Sequence, residues 1–236
     1  YFCNPALSLN RKEKGSFERN ILQKALKIGT PVAIQEIAMS GAQVASTMII
    51  APLGAVAIAA HSFAITAESF CYMPGYGIGS AATTLVGRSI GAKKDTLARR
   101  YGIICTVMGA VFMGLTGLFM MFLCPYVFRI LTPDPNVRQL AARVLRIGLL
   151  AEPLYGISIV AAGALRGTGD TFVPSLMNLG SIWIVRIGLA TLLVGPLGLQ
   201  GVWIAMATEL CVRGLLMLYR HKTTPYYKKM PTTGPL

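Results

Sequence analysis

From Tyr101 to Phe128 the sequence carries no ionised side chain, and from Ile28 to Ser62 its one Asp, Glu, Lys or Arg is Glu36. A helix crossing a bilayer needs about 20 mainly apolar residues. Each of these runs exceeds that length, so the chain must place most of its backbone in helices inside lipid. The composition agrees: 54% of residues are hydrophobic and 13% charged, against roughly 25% charged in a soluble domain. The chain reads as an all-α integral membrane protein.

Hydropathy and helix breakers divide it into six spans, near 26–50, 56–86, 101–125, 140–164, 172–194 and 200–219. Residues 1–25 form a linker whose SFERNILQKA stretch (16–25) is amphipathic and suited to the membrane surface, and 220–236 form a basic tail. Ala51-Pro52-Leu53-Gly54 and Gly195-Pro196-Leu197-Gly198-Leu199-Gln200 are short uncharged links built from residues that stop helices. No cleavable signal peptide is visible, and the sequence, opening at Tyr1, is expected to belong to something longer.

A net charge of +13 invites a nucleic-acid reading, but the bases flank apolar runs rather than gathering on one wet face. Six precede the first span, Arg88, Lys93, Lys94, Arg99 and Arg100 fill one loop, Arg166 follows the fourth span, and Arg220, Lys222, Lys228 and Lys229 close the chain. Against these sixteen, the opposite side has four: Arg129, Arg138, Arg143 and Arg146. The positive-inside rule then puts both ends of the chain in the cytoplasm and the spans in the inner (plasma) membrane. The five cysteines lack metal-ligand spacing, and two histidines with no H-E-x-x-H pattern offer neither a metal site nor a catalytic constellation.

The stretch GYGIGSAATTLVGRSIGAKKD (75–95) resembles a dinucleotide loop in its Gly77-x-Gly79-x-x-Ala82 spelling. A phosphate loop requires a preceding strand, and residues 62–74 show no period-two pattern. The pairs Gly75/Gly79 and Gly87/Gly91 instead have small-x-x-x-small spacing, which lets helices approach closely in lipid. Pro74, Pro31 and Pro153 lie within or beside spans, where proline kinks a helix.

The same stretch, with its GR-x-x-GA ending, together with GALRGTGDT (163–171), resembles the MATE family of multidrug and toxic-compound extrusion transporters. The likeness is to the second half of such a protein, from about residue 16 onward. It implies one six-helix lobe of a pseudo-twofold, two-lobe transporter whose other, N-terminal lobe lies outside this sequence. It further implies export of small organic cations or amphipathic compounds in exchange for H+ or Na+, with no cofactor. A lipid-linked oligosaccharide flippase of the same superfamily is the alternative, expected to show a more basic cavity.

Acids within spans stand out because charge at bilayer depth is costly. In one branch of the family, acids on the helices matching spans one and four take part in cation coupling, which points to Glu36 and Glu152. A carboxylate in a partly desolvated cavity holds a proton more readily than one in water, which suits exchange against a cation. Glu36 also fits a helix-start residue near the interface, and Glu152 a hydrogen-bonded core acid. His61 and Glu68, seven residues apart, share a helix face as a buried polar pair or a proton relay. Met39, Phe63, Phe70 and Tyr155 suit a promiscuous cavity, as do Tyr72, Tyr76 and Met108. Glu209 and Arg213 can pair at i, i+4, with Arg186 joining them in a structural charge cluster. Arg166 and Asp170 are expected to pair across the cytoplasmic turn.

Overall fold

The computed structural model describes residues 19–224, all of them in helices or short connections. The helices are α1 (Arg19–Ile50), α2 (Ala55–Gly91), α3 (Asp95–Leu131), α4 (Pro135–Leu149), α5 (Glu152–Gly167), α6 (Phe172–Gly180), α7 (Gly188–Leu197) and α8 (Leu199–Thr223), with a π-helical segment, Ser181–Ile187, fusing α6 to α7. Helices α2 and α3, the fused Phe172–Leu197 unit and α8 are each long and apolar enough to cross a membrane. The α4–α5 pair supplies another crossing, bent by 55° at its break. Helix α1, more polar, has 32 residues, enough for roughly 48 Å of helix.

The boundaries differ from the sequence reading in instructive ways. Helices α2 and α3 run to 37 residues each, about 55 Å at 1.5 Å per residue, and so project well past a hydrocarbon core of about 30 Å. Their overhangs meet at the exposed Arg88, Lys93, Lys94, Arg99 and Arg100. The amphipathic stretch expected along the membrane surface is, from Arg19 onward, simply the opening turns of α1; residues 16–18 and the tail beyond Thr224 lie outside the described residues.

Local chemistry explains the stops. Gly198, at φ +56°, separates α7 from α8 in a left-handed geometry that a Cβ disfavours. Asp134 caps α4 by accepting from the Asn136 amide at 2.8 Å, with Pro135 at the first helical position. Pro153 occupies the second position of α5 and has no N–H to give to the preceding turn, so the fourth span is broken there rather than gently bent.

Helix α5 is the hub, packed against α2, α3 and α8. Glycines make this possible. A Cβ on Gly163 would overlap the backbone of Gly79, one on Gly167 would come within 2.6 Å of the Thr83 carbonyl and 3.2 Å of the Gly87 amide, and one on Gly156 would sit 2.7 Å from the Gly109 carbonyl. The Thr83 hydroxyl bridges the first contact, donating at 2.9 Å to the Gly79 carbonyl of its own helix and at 2.8 Å to that of Gly163. The glycine-rich stretch is helix from Gly75 to Gly91, with the turn at 92–94 beyond it and no strand before it. Gly91, the fourth glycine of the expected pairs, has open space around it.

Helix α3 turns Ile104, Val107, Val111, Leu115, Phe119 and Phe122 outward, each at least 55% exposed, as a lipid-facing surface requires. Helix α1 packs mainly on α6 and the π segment, with Gly41 set against the Trp183 ring.

Candidate functional site

Helix α2 carries a single acid, Glu68, and the residues at helical spacing around it, Ile65, Tyr72 and Tyr76, line one wall of a cavity of about 200 Å³. Helix α1 closes it with Met39 and Gln43, α8 with Met206, Leu210 and Arg213, α5 with Tyr155, and the π segment with Arg186. The aromatic rings lock together edge to face: Tyr72 lies 5.9 Å from Tyr76 and 5.8 Å from Tyr155, centroid to centroid. The Arg213 guanidinium sits 5.2 Å above the Tyr155 ring, a cation–π contact.

Arg213 is held from behind. Its Nε lies 3.2 Å from Glu209 Oε1, and both side chains are buried. The Ser181 hydroxyl donates to the same carboxylate oxygen at 3.0 Å, tying α8 to the π segment. Arg186 lies within electrostatic reach of Glu209 and Glu68, but its Nε has no hydrogen-bond partner among the described residues. The three residues expected to cluster therefore stand together, with Arg186 turned toward the cavity. A π-helical turn is often found where a helix serves a site, and here it carries Arg186.

Glu152 lies deeper. It is fully buried at the α4–α5 break, with its Cβ and Cγ against Gly117 of α3. Neither carboxylate oxygen has a hydrogen-bond partner among the described residues, so the expected hydrogen-bonded core acid is corrected to a bare one. Glu68 Oε1 is likewise buried and unpartnered, packed near Gly148. His61, two turns along from Glu68, contacts the Trp203 ring edge to face at 5.9 Å and is no hydrogen-bonded partner of the acid. With Glu152 sealed in the core, Glu152→Gln should leave folding intact: the expected result is a melting temperature within a few degrees of the parent, read by fluorescence-detected thermal unfolding.

Glu36 is exposed and outside the cavity wall. It nevertheless shares the α1 face of Met39 and Gln43, three and seven residues on. Of the seven expected cavity residues, Met39, Tyr72, Tyr76 and Tyr155 line it. Phe63 instead packs partly buried against the main core, and Phe70 points outward at 69% exposure. Met108 is 49% exposed and outside the cavity wall, whereas Met206 and Leu210, which the sequence reading had not singled out, are part of it.

The expected Arg166–Asp170 pair is also corrected. Asp170 accepts from Arg220 of α8, whose Nε donates at 2.9 Å, while Arg166 donates to the Ala162 carbonyl of its own helix at 3.3 Å. The Gly169 turn, at φ +85°, swings Asp170 toward the end of α8. Because this pair is partly exposed, Asp170→Asn should cost no more than about 1 kcal/mol; a thermal-unfolding loss several times larger would show that the pair anchors the bundle end. Among the described residues no three His, Cys, Asp or Glu side chains gather as a metal site.

The profile of one family, MatE, matches residues 31–192. The chain belongs to the MatE family. Its members are transporters rather than enzymes, in keeping with a polar cavity inside an apolar helical bundle. The chain is 35% identical over 202 residues to a probable multidrug resistance protein NorM of Thermotoga maritima, covering 83% of this chain and 43% of that protein. It is 32% identical over 208 residues to a multidrug resistance protein NorM of Burkholderia vietnamiensis, covering 85% and 45%. The chain thus spans less than half the length of these MatE relatives. The fold matches a MATE structure in complex with MaL6 at a TM-score of 0.84 and 19% identity, covering 91% of this chain and 49% of that one. It matches the bent form of the Vibrio cholerae MATE transporter VcmN at 0.80 and 18%, covering 86% and 46%. A superfamily transporter from Pyrococcus furiosus, described as having a binding pocket of reversed polarity, matches at 0.77 and 19%, covering 88% and 47%.

Proposed function

We propose that the chain is the carboxyl-terminal six-helix lobe of a secondary active antiporter that exports cationic or amphipathic compounds in exchange for H+ or Na+ by alternating access. The observation that carries this reading is the cavity wall, in which Tyr72, Tyr76 and Tyr155 lie beside Met39, Met206 and the acid Glu68. Aromatic faces attract organic cations, methionines adapt to ligands of varied shape, and a carboxylate supplies the counter-charge. The NorM relatives, named as multidrug resistance proteins, support the same substrate class. The other wall belongs to an N-terminal lobe, and the basic ends of α2, α3 and α8 face the cytoplasm.

Coupling falls to Glu36, which sits one turn from Met39 on the α1 face that borders the cavity, within reach of solvent and of an entering ion. Glu36→Gln in the complete transporter should abolish ion-driven efflux of a cationic dye from vesicles while leaving protein yield unchanged. Undiminished efflux would remove Glu36 from the mechanism.

The flippase reading draws on Arg186 and Arg213, two guanidinium groups in the wall against one carboxylate. Arg213 is neutralised by Glu209 at its back, however, and Arg186 faces Glu68. The balance leaves no strongly basic surface for a pyrophosphate headgroup, so drug efflux is favoured. Reconstituted protein that moved a lipid-linked oligosaccharide but no organic cation would reverse this order.

A further inference from the structure

At the basic end of the bundle a second cavity, about 440 Å³, lies between α3 and α8. Helix α5 packs on both helices behind it, whereas α3 and α8 barely meet. On α3, Arg99, Ile103 and Val107 recur every four residues and so stack along one stripe, and on α8 Leu218 and Lys222 do the same. In both stripes the base stands toward the helix end that joins the basic loops, and the aliphatic side chains lie deeper along the bundle. Ile103 and Val107 are 46% and 57% exposed, continuous with the lipid-facing side of α3.

The cleft therefore presents two cations at its mouth and a hydrocarbon track running inward. We propose that it binds an anionic phospholipid, with the phosphate between Arg99 and Lys222 and an acyl chain along Ile103, Val107 and Leu218. Basic pockets between membrane helices on this side of a bilayer suit such headgroups. Charge complementarity selects this occupant. Neither Arg99 nor Lys222 belongs to an ion pair among the described residues, while the neighbouring Arg220 is engaged by Asp170. The chain's own residues 225–236 carry Lys228 and Lys229 and no Asp or Glu, so they would be repelled from the same place.

The test is native mass spectrometry of the purified, delipidated protein titrated with phosphatidylglycerol, phosphatidylcholine or glycerol 1-phosphate. The parent is expected to retain phosphatidylglycerol in preference to phosphatidylcholine and to ignore glycerol 1-phosphate. Arg99→Gln should weaken phosphatidylglycerol about 5-fold, and Arg99→Gln with Lys222→Gln roughly 30-fold, given the usual worth of one base beside an anionic headgroup. Val107→Trp, which keeps both charges and fills the hydrocarbon track, should also weaken the lipid. Lys93→Gln with Lys94→Gln, on the adjoining loop, should leave the preference within about 2-fold of the parent. Equal retention of the two lipids, equal loss in the loop variant, comparable binding of glycerol 1-phosphate, or displacement by a peptide of residues 225–236 would each overturn the proposal.

Discussion

Gly163→Val is expected to prevent α2 and α5 from closing and to leave little folded protein in the membrane. The added Cβ would fall on the backbone of Gly79, and a backbone atom cannot move aside by changing rotamer as a side chain can. Overpacking of this kind costs about 1–3 kcal/mol where neighbours can give, and here the neighbour is the partner helix itself. The Thr83 hydroxyl, which bridges the Gly79 and Gly163 carbonyls, would lose its second acceptor as the helices part. A melting temperature lowered by roughly 10 °C or more is expected, taking about 3 °C per kcal/mol for a chain of this size. Gly188→Ala is the control, since nothing lies within 4 Å of a Cβ there. It should melt at or slightly above the parent, because alanine favours helix over glycine. Equal stability of Gly163→Val and the parent would dispose of the close-contact account.

The buried ion pair gives the second large effect. Arg213→Met should destabilise the protein by about 3–5 kcal/mol, because it strands the Glu209 carboxylate, which is 0% exposed, without its cation. Glu209→Gln with Arg213→Met should recover most of that loss, since Ser181 can still donate to the amide oxygen and position 209 no longer holds a stranded carboxylate. Thermal unfolding of the two singles and the double closes the cycle. If the double is no better than Arg213→Met, the cost comes from the lost contact of Arg213 with Tyr155 rather than from an orphaned charge. In the complete transporter proposed above, the double should in either case move substrate poorly, because Arg213 also lines the cavity.

Much of this fold is written in apolar runs and their breakers, because lipid leaves the backbone few options. Pro133-Asp134-Pro135, Gly54 and Gly198 mark helix ends by chemistry that acts within a residue or two. The direction in which each span turns is harder to read. Most positions of span two are apolar and its few polar residues are mainly small hydroxyls, so periodicity alone does not separate inner from outer residues, and Phe63 and Phe70 look as good as Tyr72. The usable signal is Glu68: the sole acid of α2 marks its inner face, and Phe70, two residues on, lies roughly 200° around the helix from it. Pairing across helices is a tertiary outcome that one segment cannot state. Gly156, Gly163 and Gly167 are visible in the sequence, but their partners Gly109, Gly79 and Gly87 emerge only once α2, α3 and α5 are packed. The π segment left no trace in SIWIVRI that sets it apart from an ordinary helix. The turn toward Arg220 escaped notice because Asp170 and Arg220 are 50 residues apart, whereas Arg166 was the near and obvious partner.

Where backbone meets backbone through glycine, there is no side chain left to rearrange. Helices α2, α3 and α5 are joined in that way at three levels, so any rearrangement of this bundle would carry them bodily, as a fixed jaw. Helix α1, resting mainly on α6 and the π segment, is the strut left to take up the change in shape.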